Sequence, residues 1–245
     1  MKNEHPSDGF TLIELLITML ISMLVMGTVF MAYLSNQKIH TAQQNVVEMQ
    51  QNIRAGGDMV MREIKLAGYN PTGDASGAGI TKAFPDAFAF SMDITDTAGT
   101  GDPDGKLDGP GEYIAYDSYV NGGRLYLGRS VSNAPIAVTE IVANKHWEAT
   151  GHQQAAENIE AIEFLYTLDD DTTTTKPDTT NYDRITAVTL TLLSRTPFPD
   201  PKFQNSSVYT PASGDNFALG GANPANDHYR RRLVSHVIKL RNMGM

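Results

Sequence analysis

Between Phe10 and Leu34 the chain carries a single charged residue, Glu14, and this run constrains the fold more than any other part of the 245 residues. About 20 consecutive apolar residues in helix suffice to cross the hydrocarbon of a bilayer, and a helix satisfies its own backbone there. Thr11, Thr18, Ser22 and Thr28 interrupt the run with hydroxyls that bond back to their own helix, so they do not argue against burial in lipid. Glu14 carries a cost. A carboxylate at the centre of a bilayer costs about 2.5 to 3.5 kcal/mol on insertion scales, which makes an intramembrane acid a functional residue by default.

Two ordinary readings of the run, a cleavable signal and a plain anchor, account for less of it. A cleavable secretory signal places its small residue after the apolar core, whereas Gly9 precedes this one. A plain signal anchor leaves Glu14 without a use.

Gly9-Phe10-Thr11-Leu12-Ile13-Glu14-Leu15-Leu16 resembles the processing motif of type IV prepilins. The resemblance implies that a membrane peptidase cuts between Gly9 and Phe10 and that Phe10 becomes an N-methylated terminus. It also implies that Glu14 is the assembly carboxylate, which meets the terminal ammonium of a neighbouring subunit. The physics is consistent, because an opposite charge neutralises Glu14 in a low-dielectric setting, where losing one partner costs about 3 to 5 kcal/mol. The leader carries Lys2 against Glu4 and Asp8, so its cytoplasmic placement rests on the family more than on positive charge. The expected organisation is leader 1–9, transmembrane half-helix 10–34, amphipathic half-helix 35–68 and an extracytoplasmic β-rich head, 69–245.

The second half-helix rests on periodicity. Ile39, Ala42, Val46, Met49, Ile53, Val60, Ile64 and Ala67 recur at steps of three, four or seven, which predicts one apolar stripe packed on a sheet. Gly27 and Gly56-Gly57 are the expected weak points of the helix, and Gly68 with Pro71 its stop. Beyond it the period shortens. Strands are predicted over 87–93, 112–120, 124–131, 136–144, 159–168, 184–194 and 232–240, with a hairpin turn at Asn121-Gly122-Gly123. The cleanest alternation is Ile185 to Leu192. Long loops at 69–85, 169–183 and 196–227 separate these elements. The predicted class is α+β, a long N-terminal helix on an antiparallel sheet.

Within the pilins, Met49 to Arg54, Met61 to Tyr69, Tyr229 to Arg232 and Leu240-Arg241-Asn242 are similar to PilW-like minor pilins. That resemblance implies a structural subunit that helps to start or cap a type IV pilus, at the pilus tip. Its implied partners are other major and minor pilins, the prepilin peptidase, the inner-membrane assembly platform and the lipid bilayer. A single-pass inner-membrane protein with a periplasmic head, later carried to the cell surface in a pilus, is the implied location. A J-type pseudopilin of type II secretion shares the plan, and a membrane-anchored binding protein or enzyme is the third reading.

Composition narrows the chemistry. A net charge of -9 argues against nucleic acid as a main partner, since neutralising phosphates needs a basic surface. The chain has no cysteine, so disulfides and thiolate metal sites are excluded. Pilin heads often carry a disulfide; this one relies on core packing, or on a metal. Asp102, Asp104, Asp108 and Glu112 surround the turn-forming Gly105 at a spacing that suits the oxygen ligands of Ca²⁺, although the glycine comes two places early for an EF-hand. The alternative is a solvated turn. Asp169-Asp170-Asp171 reads as a solvated strand end, and Arg230-Arg231-Arg232 as an edge or a contact with an acidic neighbour. His146 and His152 flank Trp147-Glu148 without the HExxH spacing, and no GxSxG, P-loop or GxGxxG is present, so no catalytic residues are assigned.

Overall fold

In the computed structural model the chain forms two compact units, Met1–Gln44 and Asn45–Met245, which are described separately. The described residues are 9–122, 124–141, 146–215, 217 and 226–243. The expected leader, Gly9 apart, and Gly123 of the expected turn therefore lie outside them.

One helix, α1 (Leu12–Ile64), supplies the first unit and enters the second. In the first unit no described residue is buried, and Leu12, Ile13, Met23, Met26 and Met31 are among the exposed apolar side chains. Its hydroxyls turn inward on the backbone as expected: Thr18 Oγ1 donates to Leu15 O at 2.9 Å, Ser22 Oγ to Thr18 O at 2.7 Å and Thr28 Oγ1 to Val25 O at 2.8 Å. The helix is long and apolar enough to cross a membrane.

The second unit is the head. Its strands are β1 (Ile80–Ala83), β2 (Ala87–Ser91), β3 (Tyr113–Asn121), β4 (Arg124–Ser132), β5 (Val138–Ile141), β6 (His146–Ala149), β7 (Gln153–Glu157), β8 (Ile159–Leu168), β9 (Thr173–Thr174), β10 (Ile185–Arg195) and β11 (Arg231–Lys239). They form an antiparallel sheet in the order β1-β2-β3-β4-β7, another in the order β11-β10-β8-β9, and a ribbon, β5-β6. A short 3₁₀ helix, Thr179–Arg184, leads into β10.

Alternation sorts the sheet residues by face. Phe88 and Phe90 of β2, and Ile114 and Tyr116 of β3, join Phe164, Tyr166, Leu190 and Leu192 of the other sheet in the main core with Ile53, Val60 and Ile64 of α1. The Phe88 ring lies 5.5 Å from those of Phe90 and Phe164, within the range of favourable aromatic contact. The intervening residues Ala89, Tyr113 and Ala115 form a second, smaller core with Ile136 and Ala149, so β3 is buried on both faces. The ribbon thus covers one face of β2 and β3, and the helix and the other sheet cover the opposite face.

The glycine pair does not break α1, and Gly56 lets the helix approach. A Cβ on Gly56 would stand 3.0 Å from Ala156 Cβ and 3.1 Å from Leu127 Cδ2, while one on Gly57 would meet Leu192 and His236. The two glycines thus face different sheets, and close packing replaces the helix propensity they lack. The helix stops where expected, with Gly68 at φ +74.

Candidate functional site

The N-terminal site is built by a capping box. Thr11 precedes the first helical residue, and its carbonyl accepts the first helical bond, from Leu15 N–H at 3.2 Å. The Glu14 N–H donates to Thr11 Oγ1 at 3.3 Å, while Thr11 N–H and Thr11 Oγ1–H both donate to Glu14 Oε2, at 2.9 and 2.8 Å. Thr-Leu-Ile-Glu is therefore the S/T-x-x-E pattern in which cap and third residue satisfy each other's groups. The pattern was present in the sequence beside the processing motif. It gives Glu14 a fixed rotamer and puts a negative charge at the positive end of the helix. Thr11, one residue after Phe10, keeps its amide N–H when a cut falls between Gly9 and Phe10, so the box survives processing.

At the other end of α1 the head is clamped to it. Arg129 of β4 donates to both Glu63 oxygens, from Nε at 2.9 Å and Nη2 at 2.8 Å, and Tyr116 Oη donates to Glu63 Oε2 at 2.5 Å. A bidentate guanidinium fixes orientation as well as charge. Burial, followed by the Glu63 bond, pushes the Tyr116 hydroxyl far above its ordinary range. The chain's C-terminal segment closes the same end: Asn242 Nδ2 donates to Lys65 O and Ala67 O at 3.4 and 3.5 Å. Two segments singled out in the sequence, Met61 to Tyr69 and Leu240 to Asn242, thus meet in space.

The arginine triplet splits between faces as strand geometry requires, and its acidic neighbours belong to the same chain. Arg231, 3 % exposed, binds Asp227 through Nη1 and Nη2, both at 2.7 Å, and Glu160 through Nη2 at 2.9 Å. Arg230 pairs with Asp200 at 2.8 Å and lies over the Phe203 ring. Arg232 is exposed. The Asp169-Asp170 pair also has a convergent partner, Arg184, at 2.7 and 2.8 Å.

Asp104, Asp108 and Glu112 of the acidic loop are placed in separate hydrogen bonds. Glu112 is fully buried; Oε1 accepts from Ile94 N–H at 3.2 Å and Thr95 N–H at 3.4 Å, and Oε2 from Gly109 N–H at 2.8 Å. Asp104 Oδ1 accepts from Lys106 N–H, and Asp108 Oδ1 from the Thr97 hydroxyl. Gly105, at φ +82, turns its N–H to Asp93, a carboxylate outside the expected set. Asp102, Asp104, Asp108 and Glu112 are not gathered into one ligand set: among the described residues, the acid and histidine group that converges is Asp117, Glu148 and His152. That group was missed in the sequence because its members lie on β3, on β6 and in the loop before β7, and only the ribbon brings them together. The side chain of His146 lies outside the described residues.

Comparison with known proteins agrees with the N-terminus and with the head. Residues 126–242 match the family model described as Type IV Pilus-assembly protein W, and residues 6–30 match the prokaryotic N-terminal methylation motif. Among solved structures, a type IV-like pilin from Thermus thermophilus is similar at 15% identity, with a TM-score of 0.40, over 80% of this chain and 98% of that one. No curated protein matches.

Proposed function

Given that the chain is a PilW-like type IV pilin, we propose that it serves as a structural minor subunit that helps to initiate or cap a type IV pilus, at or near the tip. In this reading residues 10–34 hold it in the inner membrane with the head in the periplasm. The prepilin peptidase cuts between Gly9 and Phe10, Phe10 is N-methylated, and the assembly platform passes the subunit to other pilins.

The observation that carries this reading is the pairing of an exposed apolar helix with one carboxylate at its start. Glu14 is presented on the third residue of α1 with Oε2 held by Thr11, so a neighbour's terminal ammonium meets an oriented charge. In hydrocarbon that ammonium and Glu14 neutralise each other, which sets the register between subunits. The bulky head, difficult to repeat at every position of a close-packed filament, supports a minor role.

The test replaces Glu14 with Ala in the producing cell. Insertion and leader removal should continue, since the change removes a charge that is costly in lipid. Surface pili should be lost or sharply reduced, and the variant should no longer co-purify with other pilins. Wild-type piliation with normal co-purification would overturn the proposal; loss of protein secretion with intact pili would move the protein to a secretion pseudopilus.

A further inference from the structure

Beneath the β5-β6 ribbon, Asp117, Glu148 and His152 place one ligand atom each within 4.8 Å of one another. Asp117 is fully buried on the outer face of β3. Its Oδ2 accepts from Ala149 N–H at 2.8 Å, but its Oδ1 is buried with no hydrogen-bond partner among the described residues. A buried carboxylate oxygen left without a partner is costly, and a positive ligand would satisfy it. The strand opposite has made room for this carboxylate. Asp117 pairs with Gly128, where a Cβ would stand 2.1 Å from Oδ1.

The imidazole lies between the two acids. His152 Nδ1 is 3.5 Å from Asp117 Oδ2, and Nε2 is 3.6 Å from Glu148 Oε1. Both separations exceed the 2.7–3.2 Å of a good N–H···O bond. One cation takes one ring nitrogen, and with Nδ1 turned to Ala149 O that nitrogen is Nε2, whose 3.6 Å from Glu148 Oε1 comes close to the roughly 3.4 Å that separates two ligands bound at about 2.05 Å on a tetrahedral Zn²⁺. The ring is held in place from outside, stacked on Tyr119 at 3.8 Å between centroids, and Nδ1 lies 3.1 Å from Ala149 O. A backbone carbonyl on one ring nitrogen is the usual outer support of a metal-bound histidine.

We propose that Asp117, Glu148 and His152 bind one divalent transition cation of the Zn²⁺ type, which staples the β5-β6 ribbon to β3. An imidazole with two carboxylates favours such an ion over Ca²⁺, which takes six to eight oxygens. Three protein donors leave a position for water. In a head without cysteine, the cation takes the place of a covalent cross-link between segments that are distant in sequence.

The test uses the full-length chain without a histidine tag, in detergent, stripped with chelator and titrated with ZnCl₂. One equivalent should bind and raise the melting temperature of the head. Co²⁺ in place of Zn²⁺ should show visible absorption distinct from that of the aqueous ion. His152→Phe keeps a ring on Tyr119 and removes the nitrogen ligand, and Glu148→Gln alters a partly exposed side chain. Each should weaken binding by more than the ten- to hundredfold that loss of an outer support costs. The proposal is overturned if the wild-type chain takes up no saturable Zn²⁺, if both variants bind as the wild type does, or if equimolar Ca²⁺ displaces the ion.

Discussion

The two units of this chain satisfy their polar groups in opposite ways. In residues 9–44 every side-chain hydrogen bond found joins residues three or four apart, and the apolar side chains face outward. In the head, bonds join residues 53, 66, 71 and 177 apart, and aromatic rings are buried. The difference shows where each unit finds its solvent. The first is complete as a helix and leaves its apolar side chains exposed; the second folds its apolar surface onto itself. Substitutions in the first should therefore disturb assembly with little effect on head stability, and substitutions in the second should do the reverse.

The largest stability effect should come from Arg231→Met in the head. The change leaves Glu160, itself buried, with the more distant Arg195 at 3.6 Å, and leaves Asp227 with the Tyr229 N–H at 3.0 Å. Breaking a buried pair by removing one partner costs about 3 to 5 kcal/mol, and chemical denaturation of the full-length chain in detergent should read that loss. Acid should act in the same direction. Arg231 holds the Asp227 carboxyl below its ordinary range, so the folded state binds this proton more weakly than the unfolded chain does. That contribution is present above the unfolded carboxylate pKa and lost as pH falls through the lowered one. In Arg231→Met this part of the acid dependence should disappear.

A pair of glycine substitutions sharpens the contrast. Gly56→Leu drives a side chain against Ala156 and Leu127, and overpacking of this kind costs about 1 to 3 kcal/mol. Gly27→Ala meets nothing within 4 Å and should gain up to about 1 kcal/mol of helix propensity. Opposite signs for one residue type in one helix, measured by denaturation for the first and by helix content in detergent for the second, would confirm that packing decides only in the head.

The same division explains what the sequence made legible. Strands with strong alternation were placed closely: Ile159–Leu168 was predicted at those bounds, and the alternating run from Ile185 lies inside β10. Gln153–Glu157 was not predicted, because Gln-Gln-Ala-Ala-Glu lacks β-branched and aromatic residues and is held as a strand by pairing with β4. Gly56-Gly57 was read as a weakness because propensity is local, whereas Ala156 and Leu127, whose close approach Gly56 permits, are distant in sequence. The acidic loop was read from spacing alone. Spacing cannot show that Glu112 closes on the amides of Ile94, Thr95 and Gly109, nor that Asp117 meets His152 beneath a ribbon. Melting in Ca²⁺ and in chelator measures whether the loop takes a cation in addition to those bonds.

The smallest effect should be Thr11→Ala, and it is the most discriminating between the two units. Alanine removes the hydroxyl that accepts from Glu14 N–H and donates to Glu14 Oε2, leaving the Thr11 backbone N–H as the one link of the box. Loss of such a cap costs about 1 kcal/mol, and because the box spans only residues 11–14 the cost should stay in the first turn. Hydrogen exchange of the amides at Glu14 and Leu15 should accelerate about fivefold, as about 1 kcal/mol of local opening dictates. The melting temperature of the head should not move. Thr11→Ser should restore protection, since serine caps as well as threonine. If Thr11→Ala reduces pilus incorporation while Thr11→Ser does not, the cap orients Glu14 for its neighbour; if incorporation is unchanged, the box serves the helix alone and Glu14 acts through its charge wherever its rotamer lies.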